Sequence, residues 1–447
     1  MDLKKRELIV NGDIKKALIT LALPIMLGNL IQTVYNLTDT YFVSRMGDIE
    51  VAAVGFVWNI VFLILSLGMG FSVAGRSLIA QYLGANDIEN AKKAAGQMLS
   101  FSLIAGVSLG LLGFVLTPWI VGAMGAEGQL FENSVVYLRN IMIGMPFAFI
   151  YFAFSSILQG QGDMVTPMIL SAVSVVINVI LDPIFIFTLK LGVRGAALAT
   201  TSARFVLAAA AVYFVIKGIK GIVVEPRHYK FTKAIVSRIV KIGLPASFGQ
   251  ATAAFGFTIM NVFIKSFGEM TLTAFVIGNR INSLALMPIM GIGQALNTVV
   301  GQNIGAGKID RAKKALATSI KFALLISAIG GGLLFIVNDS VVSIFTNNPI
   351  VLEQGTYYMK IIIITLPLMG IFQSFIGLFQ GSGHTKFAMM MMIGRLWFLR
   401  LPMIYLLMRF TQMDEKLIWY AMLVSNLIIC TVGFIGYLKG SWKQKTI

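Results

Sequence analysis

Two aspartates stand inside long apolar stretches of this 447-residue chain, where an unpaired charge is costly. Asp39 lies in "YNLTDTYF" and Asp182 in "NVILDPIFIF", whereas nearly all of the other acidic residues lie in loops or near segment ends. Ionisable groups at such a depth usually carry ions or protons rather than only stabilising a fold. These two carboxylates are therefore the first candidates for chemistry.

Amide side chains accompany both acids at helical spacing. Asn178 precedes Asp182 by four residues, and Asn36 precedes Asp39 by three, so each pair shares one face of a helix. Pro183 removes a backbone N–H, which leaves a carbonyl oxygen one turn earlier without its usual donor. That oxygen is available near Asp182 as a ligand or as a point at which the helix bends.

Hydroxyl groups on the following apolar segment, Thr200 and Thr201, add further oxygen donors. Two carboxylates, an amide and a hydroxyl suit a hard cation such as Na⁺, which prefers oxygen ligands. The same pair of carboxylates also suits H⁺, because burial and a nearby second carboxylate both favour the protonated form. The residues leave the choice between Na⁺ and H⁺ open.

The rest of the chain is built to position these groups within a membrane. It is 57% hydrophobic and only 12% charged, whereas soluble domains contain about 25% charged residues. Apolar segments long enough to cross ~30 Å of hydrocarbon as helices recur along the chain, and they lack the strict alternation of barrel strands. The sequence predicts an all-α integral membrane protein with twelve spans, at 17–43, 51–80, 96–118, 133–157, 166–188, 195–217, 236–264, 272–301, 317–338, 354–379, 388–409 and 417–438.

The net charge of +17 is distributed by topology rather than as a nucleic-acid-binding surface. Segments on the side of residue 1 hold 22 basic residues, against 6 on the opposite side. Because positive loops face the cytoplasm, we expect a multi-pass protein of the cell membrane with both termini in the cytoplasm.

The chain also repeats itself at an offset of 221 residues. Leu23-Pro24 falls on Leu244-Pro245, Gly84-Ala85 falls on Gly305-Ala306, and the register continues over some 140 residues. A duplicated six-span unit returns the chain to its starting side, so the halves are expected to be related by a pseudo-two-fold axis along the membrane normal. The predicted domains are an N-terminal lobe at 1–217, a cytoplasmic linker at 218–235 and a C-terminal lobe at 236–447.

These repeated motifs resemble the multidrug and toxic compound extrusion (MATE) transporters. The resemblance rests on "LALPIMLGNLIQTVYNLTDTYFVSRMG" with its partner "IGLPASFGQATAAFGFTIMNVFIKSFG", on the "QYLGAND" and "QNIGAGKIDRAKKA" loops, and on "INVILDP". It spans nearly the whole chain and is closest to the DinF-like branch. It implies alternating access and export of bulky, often cationic or amphiphilic compounds in exchange for Na⁺ or H⁺, with no other cofactor.

The resemblance also assigns roles to individual positions. It implies that Asp39, Asn178, Asp182 and Thr200 form the site for the coupling Na⁺ or H⁺, and that the first span bends at Pro24. The NorM-like branch has acids on the seventh and tenth spans, but those segments contain none here, so a C-terminal cation site is not expected. Both Pro24 and its repeat partner Pro245 also fit a shared packing kink.

Cavity-lining candidates are apolar, aromatic or basic residues within the spans. The set predicted to contact substrate is Tyr35, Asn36, Phe154, Met260, Arg280 and Met287. A related lipid-linked oligosaccharide flippase is the closest alternative, and it is favoured if Arg280, Arg395 and Arg400 face the cleft. A membrane enzyme is disfavoured because both histidines lie in predicted loops and no zinc or nucleotide motif is present. The expected partners are small-molecule substrates and the lipid bilayer. The protein is expected to be a monomer.

Overall fold

The computed structural model describes residues 3–218, 223–410 and 415–447, and these residues are almost entirely helical. The helices are α1 (Leu3–Val10), α2 (Ile14–Ser44), α3 (Asp48–Gly84), α4 (Ile88–Ala123), α5 (Gly128–Ile143), α6 (Met145–Gly160), α7 (Val165–Pro183), α8 (Gly192–Ile216), α9 (Lys233–Lys265), α10 (Glu269–Gly305), α11 (Ile309–Ile336), α12 (Asn338–Ser343), α13 (Pro349–Gly381), α14 (Thr385–Ile393), α15 (Leu401–Phe410) and α16 (Lys416–Lys439). Two π-helical segments interrupt the spans, Ile184–Thr188 after α7 and Gly394–Arg400 between α14 and α15.

The membrane-spanning pattern predicted from the sequence is confirmed. Within the described residues, eleven helices are long and apolar enough to cross a membrane, if Val165–Thr188 and Thr385–Phe410, which include the π-helical segments, are each counted as one helix. A bent pair of shorter helices brings the number to twelve. The pair is α5 and α6, which meet at an angle of 44°. The bend falls at Gly144 because Pro146, in the first turn of α6, cannot donate a backbone hydrogen bond to the preceding helix.

The helices form two compact units whose limits lie inside spans rather than in the linker. The first unit contains the residues up to Glu7, Leu27–Phe248 and Ile447, and the second contains Leu8–Met26 and Gly249–Thr446. Helix α2 thus begins in the second unit and ends in the first, while α9 does the reverse. The two crossing points differ by 222 residues, one more than the repeat offset. The lobes predicted from the sequence, at 1–217 and 236–447, describe the duplicated segments and stay a prediction.

In the first unit, the beginning of α9 packs closely on α3. The hydroxyl of Ser247 donates to the carbonyl of Leu67 at 3.1 Å. A Cβ atom at Gly70 would lie only 2.6 Å from the Cα of Ser247. Glycine at position 70 is therefore required for this close approach of two backbones.

The second unit contains the repeat-equivalent contact. A Cβ at Gly291 would meet the Cγ of Met26 at 2.6 Å, and both residues lie 221 positions from their counterparts Gly70 and Ser247. The obstructing atom here belongs to a flexible side chain rather than to the backbone. The amino-terminal segment is further held in this unit by Asn303, whose amide donates to the carbonyl of Ile9 at 3.2 Å.

The predicted linker at 218–235 is described only in part, because residues 219–222 lie outside the described ranges. Its remaining portion contains a 3₁₀ turn, Pro226–Tyr229, in the first unit. His228 in this turn is fully buried, and its ring lies 3.3 Å from a carboxylate oxygen of Glu89 at the start of α4. This segment is thus fixed to the first unit.

A short turn between α6 and α7 carries a buried charged group. Asp163 accepts a hydrogen bond from the Thr166 hydroxyl at 2.8 Å and lies 3.3 Å from the ammonium of Lys5. Burial by itself would raise the pKa of Asp163, but Thr166 and Lys5 outweigh it and lower that pKa below its ordinary value. The link fastens α1 to the start of α7.

Candidate cation-coupling site

Three spans of the first unit each contribute two polar side chains spaced four residues apart. Helix α2 carries Tyr35 and Asp39, α7 carries Asn178 and Asp182, and α8 carries Thr200 with one further residue, an arginine, four positions later. Residues four apart lie on one face of a helix, one turn above the other. The repeated spacing therefore gives each span one polar stripe in an otherwise apolar sequence.

Hydrogen bonds join groups within this set. The Tyr35 hydroxyl lies 3.2 Å from the Thr200 hydroxyl, so α2 and α8 are bonded directly. On α7, the Asn178 amide donates to one oxygen of Asp182 at 3.3 Å. Asn178 and Asp182 are fully buried, and Thr200 is buried as well. Tyr35, predicted from the sequence as a substrate contact, is instead bonded to a predicted cation ligand.

Several buried polar atoms of the site lack a partner among the residues that the structure describes. They are the second carboxylate oxygen of Asp182, the amide oxygen of Asn178 and one guanidinium nitrogen of Arg204. An unsatisfied buried polar atom costs about 1–3 kcal/mol. The two oxygens without donors, on Asp182 and Asn178, and the nearby carboxylate of Asp39 could therefore bind a proton or a cation.

Charge interactions extend the group beyond the residues predicted from sequence. Asp39 is close enough to Asp182, Arg204 and the buried Tyr137 of α5 for their charges to interact. Arg204 makes no direct ion pair with Asp39 within the described residues. Asp182 is fully buried and Asp39 is partly buried, and neither forms an ion pair with the arginine within the described residues.

A change in helix geometry follows the buried acid of α7. Helix α7 ends at Pro183, and the next five residues form a π-helical segment, Ile184–Thr188. Proline removes a backbone donor, and π-helical turns are rare and often lie at functional sites. The wider turn lies next to the position at which the sequence predicted either a carbonyl ligand or a bend beside Asp182, and both stay predictions.

Other residues proposed from the sequence lie apart from this group. Asn36 is exposed and accepts a hydrogen bond from Gln32 at 3.3 Å. Thr201 donates its hydroxyl hydrogen to the carbonyl of Asn140 at 3.0 Å. Pro24 is buried within α2 and belongs to the second unit, three residues before the helix passes to the first.

The remaining cavity candidates have contrasting environments. Phe154 is buried in the core of the first unit, where its ring packs on Phe214. Met260 is likewise fully buried in the core of the second unit. Met287 is half-buried and Arg280 is exposed. Their contact with substrate stays a prediction, and it requires Phe154 and Met260 to become accessible in another conformation.

The donor atoms of the site determine which ions it can hold. In the described part of the chain, no group of three or more His, Cys, Asp or Glu side chains is arranged to hold a metal ion. The donors present are carboxylate, amide and hydroxyl oxygens, which suit either H⁺ or a weakly held hard cation.

Known proteins provide independent evidence on the family. The MatE family model matches twice, at residues 24–184 and 245–406, so the second match starts 221 residues after the first. Bacillus subtilis (strain 168) YoeA, named a probable multidrug resistance protein, is 28% identical over 441 residues, 95% of this chain and 93% of that protein. Staphylococcus aureus (strain NCTC 8325 / PS 47) MepA, a multidrug export protein, is 29% identical over 390 residues, covering 85% of this chain and 84% of MepA.

A solved structure agrees with this relationship. A multidrug resistance MATE family transporter of the MOP superfamily, solved in an outward-facing conformation, superposes with a TM-score of 0.91 at 28% identity and 99% coverage of both chains. The family matches cover more than half of the sequence, in two copies at the predicted repeat offset. The chain therefore belongs to the MatE family, the multidrug and toxic compound extrusion transporters.

Proposed function

We propose that this protein is a secondary antiporter that exports bulky amphiphilic or cationic compounds in exchange for H⁺, by alternating access. The multidrug relatives support the substrate class. The observation that carries the coupling mechanism is the pair of acids, Asp39 and Asp182, close enough to interact within the membrane-spanning part of one unit. The excess of basic residues on one side supports a cell-membrane location with both termini in the cytoplasm.

Reversible neutralisation of the acids is the proposed coupling step. Two interacting carboxylates in a low-dielectric environment repel each other, so a proton or cation between them relieves the repulsion. Loss of that ion restores the repulsion and favours a different arrangement of the helices that carry them. A ligand that binds one arrangement better than the other shifts the population accordingly.

The small number of oxygen ligands at the acid pair favours H⁺ over Na⁺ as the coupling ion. The guanidinium of Arg204 is always charged, and it already supplies a fixed positive charge near Asp39. The charge of Arg204 opposes the binding of either H⁺ or Na⁺ at Asp39, but a proton forms an O–H bond with one carboxylate and needs no shell of ligands, whereas Na⁺ needs several oxygen ligands around it. The site therefore works as a proton-binding carboxyl pair in which one member faces a permanent counter-charge.

Helix α2 provides the link between the site and a conformational change. It carries Asp39 in the first unit and Pro24 in the second, and it passes between the units after Met26. Because Pro24 cannot donate to the carbonyl one turn before it, the helix is weakest near this crossing. We propose that protonation at Asp39 changes the bend of α2 at Pro24.

Transport by the purified protein in liposomes tests this function. Separate pH and Na⁺ gradients are imposed, and efflux of a fluorescent lipophilic cation is measured. We expect the pH gradient to drive export and the Na⁺ gradient to have no effect. Asp39→Asn and Asp182→Asn are each expected to abolish gradient-driven export while the protein stays folded.

The exposed Asp339 on α12 offers a matched control for the same chemical change. Asp339→Asn is expected to transport at the rate of the unmodified protein. Normal export by either Asp39→Asn or Asp182→Asn would show that the carboxyl pair is not the coupling site. Export driven by Na⁺ alone would refute proton coupling while leaving the antiporter function intact.

A further inference from the structure

Two arginines are buried in the second unit, with no acidic partner among the residues that the structure describes. Arg395 and Arg400 lie at the start and the end of the π-helical segment Gly394–Arg400, and only 8% and 4% of their surfaces are exposed. Arginine keeps its charge in proteins, and a buried charge without a counter-ion is strongly destabilising. The pair therefore requires an explanation.

Arg400 is held by neutral oxygen atoms of the last span. Its Nε donates to the Ser425 hydroxyl at 3.1 Å, and its Nη2 donates to the amide oxygen of Asn426 at 3.0 Å. These bonds satisfy donors and fix the direction of the guanidinium. They do not neutralise its charge.

Arg395 is satisfied less completely. One terminal nitrogen contacts the sulfur of Met369 at 2.9 Å, and the guanidinium lies 4.7 Å from the ring centre of Phe372. Thioethers are weak acceptors. Its Nε is buried and has no hydrogen-bond partner within the described residues. An acceptor is thus missing beside a fixed positive charge.

The helix geometry brings the two charges to the same face. In a regular α-helix, residues five apart point in different directions, but a π-helix bonds each residue to the fifth one along the chain. Residues 395 and 400 stand at that spacing and are close enough for their charges to interact. They repel each other, and an anion near both would remove the repulsion.

The internal repeat places this pair near the counterpart of the acid site. The repeat offset of 221 places Asp182 at Met403, three residues after Arg400, and Thr200 at Ala421, four residues before Ser425. The two halves therefore present opposite charges on similar elements. The acids of one half suit a cation, and the arginines of the other suit an anion.

We propose that the second unit binds a compact anion at Arg395 and Arg400, either an inorganic ion or the carboxylate of an organic compound. Two forked donors with one unsatisfied N–H suit an oxyanion or a halide. The proposal does not depend on the transport function, because binding is measured on the purified protein without a gradient.

Thermal unfolding of the full-length protein in detergent tests the site. Chloride, inorganic phosphate, acetate or gluconate is added stepwise, at matched ionic strength, to the protein in a low-salt zwitterionic buffer. We expect at least one of these ions to raise the Tm in a saturable way, by a few degrees, because a ligand that binds only the folded state stabilises it. A response to chloride or phosphate indicates an inorganic ligand, and a response to acetate alone indicates a carboxylate.

Variants connect the response to the site. Arg395→Gln and Arg400→Gln are expected to lose the saturable response, while Arg409→Gln, an exposed arginine of the same span, keeps it. Arg400→Lys retains the charge and is expected to bind more weakly, which provides a folded variant if Arg400→Gln does not accumulate. Equal Tm values of the unmodified protein in all four salts would overturn the proposal. A full response in Arg395→Gln would overturn it as well.

Discussion

Replacing Arg204 by methionine is expected to strengthen Na⁺ binding at the acid site. Methionine keeps much of the length of the side chain and removes its charge. Arg204 interacts with Asp39 through charge but makes no direct ion pair among the described residues. If a bound cation stands roughly 8 Å from the guanidinium in an effective dielectric constant of about 20, the repulsion between them is about 2 kcal/mol. Its removal tightens Na⁺ binding about 30-fold.

Efflux from liposomes over a series of Na⁺ gradients at a fixed, equal pH measures this change. The unmodified protein is expected to show no Na⁺-driven export, while Arg204→Met gains Na⁺-driven export with a measurable half-saturating concentration. Arg194→Met, an exposed arginine in the first turn of the same helix, is the matched control and is expected to behave as the unmodified protein. Arg204→Met that stays indifferent to Na⁺ would refute the argument that the guanidinium opposes Na⁺ binding.

Three further predictions concern the scaffold. Gly70→Ala is expected to lower the free energy of unfolding by more than ~3 kcal/mol, because backbone atoms obstruct the added methyl group. Gly291→Ala is expected to lower it by about 1–3 kcal/mol, because there the obstructing atom belongs to a flexible side chain. Equal losses of Tm in the two variants would contradict this. Asp163→Ala is expected to lower the free energy of unfolding by about 1–2 kcal/mol at neutral pH. Because the pKa of Asp163 is lower in the folded state, its stabilisation is present above the unfolded pKa and is lost as the pH falls through the folded pKa. The Tm values of the variant and the unmodified protein should therefore converge in acid. Pro24→Ala restores a backbone donor and stabilises a straight α2 by up to ~3 kcal/mol. It is therefore expected to slow export more than Pro245→Ala does. Similar export rates for the two variants would show that Pro24 is not a hinge.

The spans were predictable from sequence because lipid requires long, apolar and fully hydrogen-bonded helices. The break within the fourth span was not predicted, although "GMP" at 144–146 carries its signal. The exchange of helix beginnings between units was also missed. Glycines at positions 70 and 291 mark the close contacts involved, but a glycine alone does not say which distant backbone approaches it.

The acid site was predictable only for residues that are unusual in a membrane. Asp39 and Asp182 were recognised because a charge within an apolar span is energetically costly. Asn178 and Thr200 followed from their spacing and from the family resemblance. Arg204 was not among the residues predicted for the site, although its position four residues after Thr200 places it on the same face. Tyr137 of α5 carried no comparable signal, because tyrosine is common in spans and only tertiary packing brings it to the group.

Duplication of one helical unit explains how opposite charges came to occupy similar elements. The fifth span of each half contains a π-helical segment close to a proline, after Pro183 in the first half and before Pro402 in the second, and the next span offers two adjacent polar side chains. A wide turn exposes backbone and polar groups within lipid-depth protein, so it is tolerated only where side chains or a bound ion satisfy them. The acid in one half and the arginines in the other are alternative solutions to this same local requirement. Changing the charge at one position then changes the ion that the turn attracts while the scaffold stays the same.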